Sequence, residues 1–161
     1  MPSLADTAAS TSSAPRVRPC DLAVFDAVPT PAIGLFCFAD VRPLGGVAGY
    51  VDWRALGALS RCIIGGLFSG RRDETLLVPL FGRGGVRRVF LFGLGPLGAC
   101  DEAVLGQACT QALAVMRRAG VQDVVLAAPS APLKLQLETQ FVGVVHARPH
   151  RDVVEVWVEK T

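Results

Sequence analysis

The sequence predicts an α/β protein in which a mixed β-sheet is covered by helices. The strongest observation is an apolar strand, Val89-Phe90-Leu91-Phe92, followed by a glycine turn at 93–98 and then by an amphipathic helix. A second observation is that other short apolar runs alternate with segments of helical periodicity. A third is a hydrophobic content of 51%, which is typical of a buried sheet or of a surface used for assembly.

The length of 161 residues suits one domain with a sizeable core and leaves no room for a second. Residues 1–19 are small and polar and contain three prolines, so we expect a disordered N-terminal tail. Residues 20–161 are then a single domain.

The first half of the domain predicts strands at Leu22–Phe25 and Ile33–Phe38, where short apolar runs occur. A helix is predicted over about 50–64, with Asp52 at its N-terminal end and Gly65-Gly66 as its stop. Its apolar positions recur at helical spacing: Val51, Leu56, Leu59, Ile63 and Leu67. Strands at Thr75–Leu80 and Arg88–Phe92 follow, and the short glycine-rich turn between them predicts antiparallel neighbours.

The second half is dominated by a helix that follows the glycine turn. Asp101 and Glu102 lie in its first turn, and Gly120 follows it as a C-terminal cap. Further predicted elements are a strand at Val124–Ala127, a short helical segment at Leu133–Glu138, an extended stretch at Val142–Val145 and a closing strand at Val153–Val158.

Charge and cysteine usage exclude several function classes. The formal net charge of +2 is too small to argue for nucleic acid or an anionic membrane as a partner. The five cysteines are odd in number and form no Cys-x-x-Cys pair, so we expect buried free thiols in a reducing cytoplasm. No apolar stretch reaches the roughly 20 residues of a membrane span, and the N-terminus does not resemble a secretory signal.

The glycines Gly93, Gly95 and Gly98 satisfy the dinucleotide-binding pattern Gly-x-Gly-x-x-Gly. Pro96 lacks an N–H, and the next helix begins with two carboxylates near Asp101, where a pyrophosphate would need bare amides. The following strand also lacks an acidic residue that would hold a ribose. We therefore interpret the motif as a tight structural turn.

Other candidate groups favour structural explanations. Ser69 and Ser130 lie in turns without an evident histidine and acid partner. His146 and His150 are spaced as a helical metal pair, but Pro149 between them makes a helix improbable, so we interpret both as solvated loop residues. The arginines between positions 71 and 88 are interpreted as a solvated hairpin surface. We expect no catalytic residue, cofactor or metal site.

A set of short segments, in order, resembles the N-terminal domain of the leucyl (cytosol) aminopeptidases over roughly Asp21 to Pro129. The segments are Pro43-Leu44-x-Gly46, Val51-Asp52-Trp53-Arg54, Leu59-Ser60-Arg61, Gly66-Leu67-Phe68-Ser69-Gly70, Glu74-Thr75-Leu76-Leu77-Val78-Pro79 and Val89-Phe90-Leu91-Phe92-Gly93-Leu94-Gly95. The resemblance implies a three-layer α/β/α fold with a mixed central sheet, like that of the macro domains that bind ADP-ribose. The family's two-metal catalytic run, Asn-Thr-Asp-Ala-Glu-Gly-Arg-Leu, does not occur here. We therefore expect a standalone protein without peptidase activity.

Three functions follow as hypotheses. The first is a non-catalytic interaction or regulatory module that self-associates or docks onto another protein. The second is a macro-like pocket for a nucleotide or ADP-ribose, with Ser69, Gly70, Arg71, Gly93 and Gly95 near the phosphates. The third, DNA binding, is the least favoured because the net charge is small.

Overall fold

The computed structural model describes residues 14–81, 86, 88–132, 134, 136–148 and 153–160, and in them a six-stranded sheet carries helices on both faces. The strands are β1 (Arg16–Cys20), β2 (Ala32–Phe38), β3 (Thr75–Pro79), β4 (Arg88–Gly95), β5 (Val124–Ala127) and β6 (Val153–Glu159). The helices are α1 (Leu22–Ala27), α2 (Gly46–Arg54), α3 (Ala58–Ile64), α4 (Glu102–Arg118) and α5 (Leu137–His146).

The strand order is β1-β6-β5-β2-β4-β3, so β1 and β3 form the two edges of the sheet. Every neighbouring pair is parallel except β3 and β4, which are antiparallel. The predicted mixed sheet and the predicted antiparallel pair are therefore confirmed. The β4 strand also runs to Gly95, so the first glycines of the turn belong to the sheet.

Two core clusters, one on each face of the sheet, make the fold three-layered. One joins the sheet to α4 and α5 through residues such as Phe92, Leu105 and Phe141. The other joins it to α1, α2 and α3 through residues that include Phe25 and Leu59. Sheet side chains alternate between the clusters because successive residues of a strand point to opposite faces.

The predicted strand at Leu22–Phe25 is wrong, because these residues lie in α1. The Asp21 carboxylate accepts a hydrogen bond from the N–H of Val24 at 2.9 Å and caps the helix. A four-residue apolar run does not by itself distinguish a strand from a buried helical turn. Asp21 was the signal that pointed to the helix.

The single helix predicted over about 50–64 is two helices. The chain breaks between α2 and α3, where Leu56 and Gly57 have φ angles of 52° and 76°. Asp52 does not cap the first helix. Its carboxylate accepts from the N–H groups of Leu59 at 2.9 Å and Ser60 at 3.1 Å, and so caps the second.

The C-terminal helix lies later than predicted. The extended stretch predicted at Val142–Val145 is helical, and α5 starts at Leu137 instead of near residue 133. The helix buries Leu137, Phe141 and Val144 at helical spacing, which outweighs the strand preference of its valines. His146 is the last helical residue, not part of a loop, whereas His150 lies outside the described residues.

The last residues of the predicted disordered tail are ordered, because Arg16–Cys20 is the strand β1. It pairs in parallel with β6, and the Arg18 guanidinium forms two hydrogen bonds, of 2.6 and 2.8 Å, with Glu155. The rest of the predicted tail, residues 1–13, lies outside the described residues.

Candidate functional site

The structure brings together all five residues of the predicted phosphate site at the end of β4. The N–H of Gly95 donates to the carbonyl oxygen of Gly70 at 2.8 Å. A Cβ atom on Gly93 would lie 1.8 Å from the carbonyl oxygen of Arg71, so only glycine permits this approach. The contact between the Ser69–Arg71 loop and the glycines is therefore one of direct backbone packing.

The amides of this loop are already bound to an internal anion, the carboxylate of Glu74. The N–H groups of Ser69, Gly70 and Arg71 donate to it at 3.0, 2.8 and 3.0 Å, and the Ser69 hydroxyl donates at 2.8 Å. Burial by itself would raise the pKa of Glu74, but these hydrogen bonds together hold it below the ordinary value.

Glu74 therefore occupies the position in which a ligand phosphate would meet these amides. The phosphate role of Ser69, Gly70, Arg71, Gly93 and Gly95 stays a prediction, and this geometry does not favour it. Sequence reasoning missed Glu74 as a partner of the loop. A carboxylate three residues after the last of three consecutive amides was the available signal.

The helix after the glycine turn is also capped from within. The Asp101 carboxylate accepts from the N–H of Val104 at 2.9 Å, as expected for a residue at the start of α4. Between β4 and α4, the N–H of Leu97 donates to Asp40 at 2.8 Å, and the Lys134 amino group donates to the Leu97 and Cys100 carbonyl oxygens. The turn is thus fixed by protein groups on both sides.

A cleft of about 700 Å³ lies where the parallel strands β2, β5 and β6 end, which is the usual ligand position in such sheets. It is lined by the loop that leads into α2, by the segment after β5 and by Glu159 at the end of β6. Gly46 has a φ of 55°, and a Cβ atom there would lie 2.6 Å from the Cβ of Ser130. The start of α2 therefore packs tightly against the Ser130 segment.

Three carboxylates, those of Asp40, Glu138 and Glu159, line this cleft. Burial raises the pKa of Glu138, and the nearby Glu159 charge adds to the increase, although a hydrogen bond from the Glu159 N–H opposes it. The cations of the cleft, Arg42 and Lys134, donate to backbone carbonyl oxygens. An anionic ligand would therefore meet carboxylates more readily than free cations.

Ser130, one of the two candidate hydroxyls, lies in this cleft and donates to Glu159 at 3.3 Å. His146 is engaged elsewhere, with its Nε2 3.0 Å from the carbonyl oxygen of Pro15. Burial raises the pKa of the Cys37 and Cys109 thiols to about 12, so neither is a reactive thiolate at neutral pH. Among the described residues, no group of three or more His, Cys, Asp or Glu side chains could hold a metal ion.

A different surface stands out for its exposed apolar side chains. In the described part of the chain, six of the seven exposed large hydrophobic residues lie between Trp53 and Phe81. Leu56, Ile64 and Phe81 are 84%, 86% and 93% exposed. Leu56 lines one groove with Trp53 and another, of about 570 Å³, with Phe81. We call Trp53, Leu56, Ile64, Leu67 and Phe81 the α2–α3 surface.

A family comparison fits the fold and the glycine corner just described. The model of the N-terminal domain of the cytosol aminopeptidase family matches residues 32–141. The chain belongs to the cytosol aminopeptidase family. The matched part is that family's N-terminal domain, and the match does not extend to its catalytic domain. No curated protein matches the chain significantly.

Solved structures place this N-terminal domain among macrodomain-like folds. A mutant of tomato leucine aminopeptidase superposes with a TM-score of 0.59 at 15% identity, over 90% of this chain and 32% of that chain. The DarG macrodomain of Mycobacterium tuberculosis gives 0.56 at 14% identity, over 89% of this chain and 98% of that one. The DarG macrodomain of Thermus aquaticus gives 0.51 at 15% identity, over 91% and 97%. At such identities the likeness shows the fold alone.

This chain spans about a third of the length of the tomato aminopeptidase, 32%. In the described residues, no helix is both long and apolar enough to cross a bilayer.

Proposed function

We propose that this aminopeptidase-type N-terminal domain is a non-catalytic interaction module that contacts another protein chain through the α2–α3 surface. The observation that supports it most directly is the concentration of exposed apolar side chains in this one region of the described chain. Leu56 connects Trp53 and Phe81 through the two grooves that it lines, and contiguous apolar exposure is uncommon on soluble proteins and often marks an interaction site. An aromatic residue such as Trp53 is a common anchor in such interfaces.

The electrostatics of the α2–α3 surface suit a protein contact. The Arg54 guanidinium lies 4.9 Å from the Trp53 ring centroid and pairs with Asp26. Arg61 donates to the carbonyl oxygen of Leu56. Both arginines line the groove beside Phe81, and arginine next to apolar and aromatic side chains is typical of protein interfaces.

Site-specific photo-crosslinking tests this proposal. A photoreactive amino acid at Ile64, in cells that produce the full chain, should yield a discrete protein adduct. Gln107 is the matched control, since it is exposed on α4 on the opposite side of the sheet. Adducts at Ile64 no more abundant than those at Gln107 would contradict the proposal.

A second candidate function is binding of a nucleotide or ADP-ribose in the cleft at the strand ends. The observation in its favour is the cleft's volume of about 700 Å³ beside the start of α2. The three carboxylates of the cleft and the hydrogen bonds of the Ser69–Arg71 amides to Glu74 oppose this function.

Added ADP-ribose distinguishes the two candidate functions. It should raise the melting temperature of the protein if the cleft binds it, and leave the melting temperature unchanged otherwise. DNA binding gains no specific support.

A further inference from the structure

Half of the backbone groups of β3 face away from the sheet. The strand pairs with β4 alone, and Gly93 donates to the Glu74 carbonyl oxygen at 2.9 Å. Hydrogen-bonded and non-hydrogen-bonded residue pairs alternate along an antiparallel ladder. Counting from the hydrogen-bonded pair of Glu74 and Gly93, Leu76 and Val78 are the residues of β3 that form hydrogen bonds with β4. Thr75 and Leu77 therefore direct their N–H and C=O groups outward. In the part of the chain that the structure describes, no strand covers this side.

The two edges of the sheet differ in how they are protected. β1 carries Arg16 and Arg18, and charged side chains on an edge strand discourage pairing with another chain. β3 has the sequence Thr-Leu-Leu-Val-Pro and carries no charge. Its one protective residue is Pro79 at the end of the strand. The β3 edge is thus the more open to strand addition.

Apolar side chains flank this edge on both faces of the sheet. Leu77 is half-exposed and lies opposite Phe90, which belongs to the cluster under α4. On the other face, Leu76 and Leu80 pack into the cluster that also holds α3. Phe81 follows directly and is almost fully exposed. A partner strand added here would cover Leu77 on one face and extend the apolar surface near α3 on the other.

We propose that β3 pairs in antiparallel register with β3 of a second copy of this chain, centred on Leu77; this inference rests on the proposed function. The register is self-complementary. The two Leu77 residues exchange their N–H···O=C bonds, and each Thr75 N–H meets the Pro79 carbonyl oxygen of the partner. Pro79 lacks an N–H, so it loses only the return bond at each end. Because β3 is uncharged, two identical edges meet without repulsion.

Sedimentation equilibrium of the full chain tests the pairing, with Leu77→Lys as the variant. We expect a dimer for the wild type. Leu77→Lys places two ammonium groups opposite each other and should raise the dimer dissociation constant at least about tenfold. Val17→Lys is the matched control, because Val17 is 43% and Leu77 45% exposed and both lie on edge strands. It should leave the constant unchanged.

Hydrogen exchange of the wild type provides a second readout that does not depend on a variant that folds. The Leu77 amide should exchange at least about ten times more slowly at dimer-forming concentrations than on dilution. The Leu76 amide, bonded within the sheet, should be protected at both concentrations. A monomer at all concentrations, equal effects of the two lysine substitutions, or concentration-independent exchange at Leu77 would each overturn the inference. A monomer that still forms adducts at Ile64 would remove this inference and leave the proposed function intact.

Discussion

At Gly93, the absence of a side chain allows two segments to touch. A Cβ atom there would lie 1.8 Å from the Arg71 carbonyl oxygen, which belongs to backbone and cannot rotate away. We predict that Gly93→Ala lowers the free energy of unfolding by about 2 kcal/mol or more, measured by urea denaturation.

Gly98 is the control within the same glycine pattern. No atom outside its chain neighbours lies within 4 Å of the Cβ that alanine would add there, so Gly98→Ala should change stability by less than about 0.5 kcal/mol. Similar losses for the two substitutions would contradict the interpretation of Gly93 as a close-packing residue.

Glu74 accepts hydrogen bonds from the amide N–H groups of the Ser69–Arg71 loop, which precedes β3. Glu74→Gln keeps the size of the side chain but replaces one acceptor oxygen by an amide that points donors at donors. We predict a loss of roughly 1 kcal/mol in urea unfolding, the lower end of the usual cost of unsatisfied groups, because these groups are only partly buried. Asp123→Asn, at an exposed loop position, is the control and should be nearly neutral.

The pH dependence of stability follows from the same carboxylate. The pKa of Glu74 in the folded state is below its ordinary value. The stabilisation by ionised Glu74 is therefore fully present at a pH above the ordinary pKa, and it is lost as the pH falls through the folded-state pKa. Glu155 behaves likewise, because the hydrogen bond from Arg18 lowers its pKa. Glu138 has a raised pKa because it is partly buried, so the free-energy cost of keeping its carboxylate ionised is relieved on acidification.

We therefore predict that wild-type stability declines as the pH drops below the ordinary glutamate value of 4.5, and that Glu74→Gln declines less steeply over the same interval. Urea unfolding between about pH 3 and pH 6 measures both slopes. Parallel slopes would show that Glu74 is not held ionised by the loop.

At the scale of elements, β1 is the part of the fold that depends most on a distant partner. Besides its ladder with β6, it supplies Arg18 to Glu155 and the Cys20 carbonyl oxygen, which accepts from the Lys160 N–H at 3.0 Å. We predict that a chain beginning at residue 21 melts at least about 5 °C below the full chain. A chain beginning at residue 14 keeps the strand and is the control. Equal melting temperatures for the two shortened chains would show that β1 contributes little.

The elements that the sequence predicted well carry their own local signals. β2 and β4 are long apolar runs between turn residues, and α4 has a capping carboxylate, an apolar stripe and a following glycine. β1 has no such signal, because Arg16–Cys20 has the mixed sequence Arg-Val-Arg-Pro-Cys, and its partner strand β6 lies more than 130 residues away in the sequence. The α5 helix was misplaced because valine generally favours strands. The packing of its valines in the cluster under α4, which favours the helix, is not visible in the sequence.

The candidate site was likewise predictable only where a local sequence motif pointed to it. The glycine turn and its nearness to the Ser69–Arg71 loop could be predicted from motifs, and the corner does form. The role of Glu74 was missed, although its position three residues after the last of three consecutive amides was an available signal. The residues that line the cleft were also missed, since Asp40, Ser130 and Glu159 are far apart in sequence and meet only in the folded sheet.

For the molecule as a whole, we predict that an anionic ligand gains little free energy by binding in the cleft. ADP-ribose at about 1 mM should raise the melting temperature by less than about 1 °C, because a ligand stabilises the folded state appreciably only when its concentration is well above its dissociation constant. Differential scanning fluorimetry measures this directly. A concentration-dependent rise of several degrees would instead support the cleft as the functional site.

Photo-crosslinking from Ile64, compared with the same photoreactive residue at Gln107, measures most directly whether the α2–α3 surface contacts another protein chain. We predict a discrete adduct at Ile64, on the exposed apolar surface, and none at Gln107. Equal yields at the two positions would contradict the claim that this surface contacts another protein chain.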